Sequence, residues 1–258
     1  MKNLFKQIEE AVKNLEGSVK KTPLQFSQRL SDLYQANIYL KREDLQEVRS
    51  YKIRGALNKM MSLTEKEKSL RVVTASAGNH GQGVAFSCNK LKVKGVIFMP
   101  RATPNQKVER VKYFGNGQVE IKLEGDTYDE AVAAAKKYSQ RKGAVYVPAF
   151  DDEKVIAGQG TVAKEVYDQL KGDIDYVLVP IGGGGLISGV SVYLKEKNKN
   201  IRIVGVEAKG GNCMIKSFKA GKIVSLDSVD TFCDGCAVKT PGKLTFEICK
   251  KLLHTIMA

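Results

Sequence analysis

Lys52 lies in Ser50-Tyr51-Lys52-Ile53-Arg54-Gly55, followed at a distance by Ser76-Ala77-Gly78-Asn79-His80-Gly81 and then by Gly182-Gly183-Gly184-Gly185-Leu186. These segments offer an amine, a cradle for a carboxylate and a cradle for a phosphate. Four successive glycines after a β-rich run remove every Cβ that would obstruct an anion, and the helix that follows adds the positive end of its dipole. No Gly-Lys-Ser/Thr follows to reach terminal phosphates and a metal, so the segment is not a nucleotide P-loop. A tight strand-to-helix crossing also asks for small residues, but one or two would satisfy it, and four in a row argue against that reading.

Ser76-Ala77-Gly78-Asn79-His80 opens a second helix, whose backbone donors suit a second anion such as an amino-acid carboxylate. Asn79 can hydrogen-bond a ring hydroxyl or carbonyl. Taken alone, the segment reads as a helix start capped by serine or asparagine, and His80 as structural rather than as a general base. Lys52 taken alone reads as a surface lysine. Its neighbours argue otherwise, because Ser-Tyr-Lys begins a helix whose Ile53, Ala56, Leu57 and Met60 form an inward face. A partly buried lysine loses proton affinity by desolvation and becomes a usable nucleophile and base. An amine for a Schiff base, N–H groups for a phosphate and a second anion site together suit an enzyme using pyridoxal 5'-phosphate (PLP).

Such segments must be held at the ends of strands. β-rich runs at 37–41, 71–75, 93–99, 119–123, 144–147, 176–180 and 201–207 alternate with helical patterns at 51–62, 79–91, 104–114, 128–142, 156–170, 185–197 and 211–220. This alternation predicts an α/β fold with parallel sheets covered by helices on both faces, and ligands at the carboxyl ends of the strands. Both glycine-bearing segments fall there. Residues 1–22 read as a polar amphipathic helix with Leu4, Ile8, Val12 and Leu15 on one side and no signal-peptide apolar block.

With 258 residues, of which 43% are hydrophobic and 27% charged, the chain can bury one large core or two smaller ones, and disorder is not expected. No apolar run is long enough for a bilayer, which places the protein in the cytoplasm. The five cysteines then stay reduced, and Cys233-Asp234-Gly235-Cys236 lacks the second pair a zinc site needs. The net charge of +14 is scattered through helices without a basic tract, so it implies a solvated basic surface that draws in anionic ligands rather than a nucleic-acid partner.

With these residues in place, the chain resembles the threonine dehydratase and serine racemase group of fold type II PLP enzymes, and most of all the threonine dehydratases. The likeness runs from Lys21-Thr22-Pro23-Leu24 to the C-terminus, through Tyr39 to Gln46, the three segments above, Val155 to Thr161 and Asp234 to Val238. It implies two open, mostly parallel sheets flanked by helices, with a large PLP-binding domain (1–68 and 151–258) around a small one (69–150). It also implies roles: Lys52 as Schiff-base lysine and base, Asn79 beside the ring oxygen, Gly182, Gly183, Gly184, Gly185 and Leu186 around the phosphate, and Ser76, Ala77, Gly78, Asn79 and His80 around the substrate carboxylate. The implied reaction dehydrates and deaminates L-threonine, or L-serine, to 2-oxobutanoate or pyruvate and ammonia, in a homo-oligomer (dimer or tetramer).

Serine racemases carry a second serine at the place of Ala77, which favours elimination here. Their divalent metal site pairs a glutamate with a carboxylate six residues on, whereas Glu207 is followed at that spacing by Cys213, so no metal is expected. The family's catalytic domain continues for several tens of residues beyond Ala258, so the resemblance implies a chain shortened at its C-terminus. The large domain would then lack its last part, and the regulatory domain of biosynthetic threonine dehydratases would be missing too. The alternatives are a truncated, inactive PLP-binding member of the family, or a serine racemase or β-replacement enzyme.

Overall fold

The computed structural model describes residues 1–258. The amphipathic start forms α1 (Lys2–Leu15), which buries Leu4, Ile8, Ala11 and Leu15. Next come β1 (Leu24–Phe26), α2 (Gln28–Tyr34) and β2 (Tyr39–Lys41), with the two strands paired antiparallel. α3 (Lys52–Met61) then leads through α4 (Glu65–Ser69), opened by a capping box between Thr64 and Glu67, into the first sheet.

That sheet contains β3 (Val72–Ala75), β4 (Gly95–Met99), β5 (Val119–Leu123) and β6 (Val145–Tyr146) in the order β5-β4-β3-β6, with every pair parallel. α5 (Asn79–Leu91), α6 (Asn105–Gly115) and α7 (Tyr128–Lys142) make the crossovers. β3 and β4 are buried from end to end, which is why they read as apolar runs without alternation. Thr74 is the polar exception, and its hydroxyl donates to the Val147 carbonyl at 2.8 Å.

α8 (Glu153–Gln169) leads to the second sheet, β7 (Tyr176–Pro180), β8 (Arg202–Val206) and β9 (Thr255–Met257), again all parallel. α9 (Gly185–Lys197) connects β7 to β8, and α10 (Cys213–Ala220) and α11 (Lys243–Leu252) lie between β8 and β9. The main core of 19 buried residues joins α1, α8, α9, α10 and α11 to this sheet. No helix is long and apolar enough to cross a membrane.

The alternation expected from the sequence is present, with differences at its ends. α8 begins at Glu153 rather than 156, because the Asp152 carboxylate accepts from the N–H groups of Lys154 (2.9 Å) and Val155 (3.1 Å). β1, α2, α4, α11 and β9 were not anticipated. The strands among them are three residues long and owe their form to pairing, β1 with β2 and β9 with β8, which leaves little periodicity to read.

α3 occupies the middle. Its Ile53 packs with Ile97 and Met99 of the first sheet, and its Ala56 and Met60 pack with Val72 and Val84. On its other side, Gly55 faces the Gln159 side chain and the Val155 carbonyl of α8 so closely that a Cβ would collide with both. The helix that carries Lys52 is thus wedged between the two halves of the molecule.

Candidate active site

A cleft of about 310 Å³ opens where β3 and β7 end. It gathers Lys52, all of Ser76–His80 and all of Gly182–Leu186, segments up to 130 residues apart in the chain being brought to one wall-to-wall site. A larger hollow of about 510 Å³, between α9 and the end of α11, holds none of these segments.

Lys52 is the first residue of α3. Its Nζ donates to the Ala149 carbonyl at 2.8 Å, and burial draws its pKa down from 10.5 to about 8. Two residues on, Arg54 is fully buried and binds both oxygens of Glu43 at 2.8 Å, while its Nη1 meets Glu165 at 2.7 Å. Lys41 meets the same Glu165 at 2.6 Å. Breaking such a cluster strands a charge out of water, typically costing about 3–5 kcal/mol, so α3 is fixed in place to the N-terminal ribbon and to α8.

The glycine turn is packed from behind. A Cβ on Gly183 would strike the Phe150 ring; one on Gly184 would lie 2.8 Å from Thr245 Cβ; one on Gly185 would lie 3.0 Å from Phe150 Cβ; and one on Gly182 would lie 3.1 Å from Cys236 Cα. Gly184 also adopts φ +93°, a conformation L side chains rarely take. A tight crossing thus accounts for more of the run than one or two glycines: Gly183 and Gly184 leave no room for a Cβ, and Gly182 and Gly185 are closely backed. The case for an anion rests instead on the N–H groups of Gly182 through Leu186, none of which has an acceptor within the chain. Exposed donors at the start of α9 form a ready anion site.

The other turn is looser. Gly78 occupies the cap of α5 with no side-chain capping bond, so the cap expected from serine or asparagine is absent. Ser76 Oγ instead accepts from Gly78 N at 3.2 Å, and the N–H groups of Ala77, Asn79 and His80 have no acceptor in the chain. Asn79 is exposed at the mouth. His80 is buried beneath, its Nε2 3.1 Å from the Val147 carbonyl. A carbonyl can only accept, so Nε2 carries the proton and Nδ1 faces the interior without a partner. Burial, with the nearby Lys52 cation, pushes the His80 pKa down to about 3, so the ring is neutral.

Around Lys52 the other groups move away from neutrality. Burial raises the Tyr51 and Tyr128 hydroxyls and the Cys236 thiol. Glu207, which does not line the cleft, is instead raised by burial towards neutrality, and its carboxylate accepts from Met214 N (2.9 Å) and Ile215 N (2.8 Å), closing the start of α10.

Phe150, Tyr128, Lys107, Thr231 and Asp234 also line the cleft and were not singled out from the sequence. Lys107 and Asp234 pair across it at 2.6 Å. Only the Asp234–Val238 segment carried a signal, as part of the family likeness. Phe150 has no local signature, since its role comes from the glycines it covers.

The donor set fits PLP: an amine whose pKa approaches neutrality, unpaired N–H groups for a phosphate and a second set for a carboxylate share one cleft. Comparison with known proteins agrees. Residues 15–258 match the family described as pyridoxal-phosphate dependent enzyme. The chain is 47% identical over 254 residues to L-threonine dehydratase biosynthetic IlvA of Halalkalibacterium halodurans, covering 97% of this chain and 61% of that protein. The Lactococcus lactis protein of the same name is 48% identical over 256 residues, with 98% and 62% covered. The chain thus spans about three fifths of the length of these relatives. Among solved structures, the processed form of threonine deaminase isoform 2 from Solanum lycopersicum superposes with a TM-score of 0.94 at 41% identity, over 99% of this chain and 70% of that one. Maize serine racemase follows at 0.93 and 34%, over 98% and 75%.

Proposed function

The chain belongs to the pyridoxal-phosphate dependent enzymes, and from that premise we propose that it dehydrates and deaminates L-threonine, and L-serine as a second substrate, releasing ammonia and 2-oxobutanoate or pyruvate. The observation that carries this reading is the Lys52 amine, with its pKa drawn to about 8, in a cleft between two turns that present unpaired N–H groups. When bound, PLP supplies an electron sink for charge developing at the substrate Cα. Lys52 Nζ holds the cofactor and takes the Cα proton, because among the titrating groups in the cleft it is the one brought towards neutrality.

Gly182, Gly183, Gly184, Gly185 and Leu186 bind the phosphate through backbone N–H groups at the positive end of α9. The N–H groups of Ser76–His80 bind the substrate carboxylate, and Asn79 orients the ring oxygen. Neutral His80 holds the turn to Val147 and does not compete as a base. Ala77 offers no hydroxyl to return a proton, which supports elimination over racemisation. We assign residues 1–68 and 151–258 to the large, cofactor-binding unit and 69–150 to the small one, each with a parallel sheet of its own. Exposed Phe26, Tyr34, Tyr39 and Leu40 support a homo-oligomer, and the enzyme is assigned to the cytoplasm.

Borohydride reduction of the PLP-treated protein, followed by peptide mapping, should place the cofactor on Lys52, and the protein should form keto acid from L-threonine. An adduct on a different lysine overturns the site assignment. Labelling of Lys52 without keto acid from threonine or serine overturns the reaction and leaves a PLP-binding member of the family.

A further inference from the structure

Residues 149–151 touch three parts of the site in succession. The Ala149 carbonyl accepts from Lys52 Nζ at 2.8 Å, Phe150 lies against Gly183 and Gly185, and Asp151 reaches α11. The Asp151 carboxylate accepts from the N–H groups of Lys243 (3.0 Å), Leu244 (2.9 Å) and Thr245 (3.2 Å), the first turn of that helix. Thr245, with no exposed surface, returns from the helix to the glycine turn: its Oγ1 donates to the Gly183 carbonyl at 2.6 Å, and Gly242 N adds a longer bond to the same oxygen at 3.3 Å.

In a trans peptide the carbonyl and the following N–H point in opposite directions. Anchoring the Gly183 oxygen to α11 therefore turns the Gly184 N–H the other way, away from α11. Glycines are free to flip such a peptide, and a flip would replace a donor with a carbonyl oxygen facing an anion. We propose that Thr245, itself held by Asp151 at the start of α11, is a positioning residue that locks the Gly183–Gly184 peptide with its N–H presented to the ligand phosphate. Nothing in the local sequence links it to the turn, from which it is separated by 62 positions.

This rests on the reading that the glycine turn holds a phosphate, and the experiment separates the two. The affinity of the protein for PLP and for pyridoxal, which lacks the phosphate, is measured by equilibrium dialysis in the wild type, Thr245→Val and Thr245→Ser. The wild type should prefer PLP; if it does not, the phosphate reading fails. Thr245→Val keeps the shape of the side chain and removes the donor, and should lower the PLP-to-pyridoxal preference about five- to tenfold, the scale of one hydrogen bond. Affinity for pyridoxal itself should hold, because Lys52 is untouched. Thr245→Ser should restore the preference. A purely structural role would weaken both ligands alike, and that result, or an unchanged preference in Thr245→Val, overturns the proposal. Should Thr245→Val not accumulate as folded protein, Thr245→Ala, which also removes the hydroxyl that meets the Gly183 carbonyl, provides the same readout, and a wild-type preference there overturns it equally.

Discussion

The two turns that face each other across the cleft begin as the same device. Each leaves the end of a parallel strand, opens a helix of 13 residues and leaves several N–H groups without acceptors. They differ in what stands behind them. Gly78 has no atom within 4 Å of the place a Cβ would take, whereas every glycine from 182 to 185 is backed by Phe150, Thr245, Cys236 or Met214. The comparison teaches that unpaired donors make an anion site and that packing decides how rigid it is. A closely backed turn suits a cofactor that stays, and an open one suits a substrate that comes and goes.

The sharpest break of that contrast is Gly184→Val. A β-branched residue at φ +93° that also presses on Thr245 combines a left-handed cost of about 1–2 kcal/mol with overpacking of about 1–3 kcal/mol. We expect a loss of about 2–5 kcal/mol in urea denaturation. Retention of wild-type stability would mean that the backing yields, and the distinction between the turns would fall.

Next in size is a pair of pH windows, one beside each turn. Lys52, next to Ala149 and the glycine side, has its folded pKa lowered from 10.5 to about 8. Between those values the unfolded chain binds a proton that the folded one does not, so stability of the apoprotein rises with pH across that window, by up to about 3 kcal/mol. Lys52→Met should remove this alkaline rise. His80, under the open turn, has its folded pKa lowered from 6.5 to about 3, so its contribution is full above 6.5 and is lost as pH falls towards 3. In His80→Asn the acid limb should flatten and the alkaline one should not. Denaturation curves at stepped pH check both, and a Lys52→Met profile parallel to the wild type from 8 to 10.5 would remove the lysine from the account.

The smallest effect belongs to Gly78→Ala. With φ −131° and open space around it, alanine should change stability by no more than about 0.5 kcal/mol. A loss above about 2 kcal/mol, seen by the same urea titration, would show that the open turn is as tightly held as the closed one.

Much of this arrangement was legible in the sequence, because its signals are short-range. The inward face of α3, the continuous apolar strands and the glycine run after β7 each follow from the geometry of a few neighbouring residues, and they placed Lys52 and both turns at the ends of elements before any coordinates. The start of α8 was missed by three residues because an aspartate pair hides which carboxylate caps which helix: Asp152 closes α8, while Asp151 crosses to α11. By itself, then, the sequence determined the lysine at the head of α3, the two turns and the α/β alternation that carries them. Only the tertiary structure decided what stands behind the four glycines, where the Gly183 carbonyl points and what anchors the helix of Lys52. Those answers lie with Phe150, Thr245, Glu43 and Glu165, whose contacts depend on how separate elements pack, and a packing partner many tens of residues away leaves no periodicity in the chain by which to recognise it.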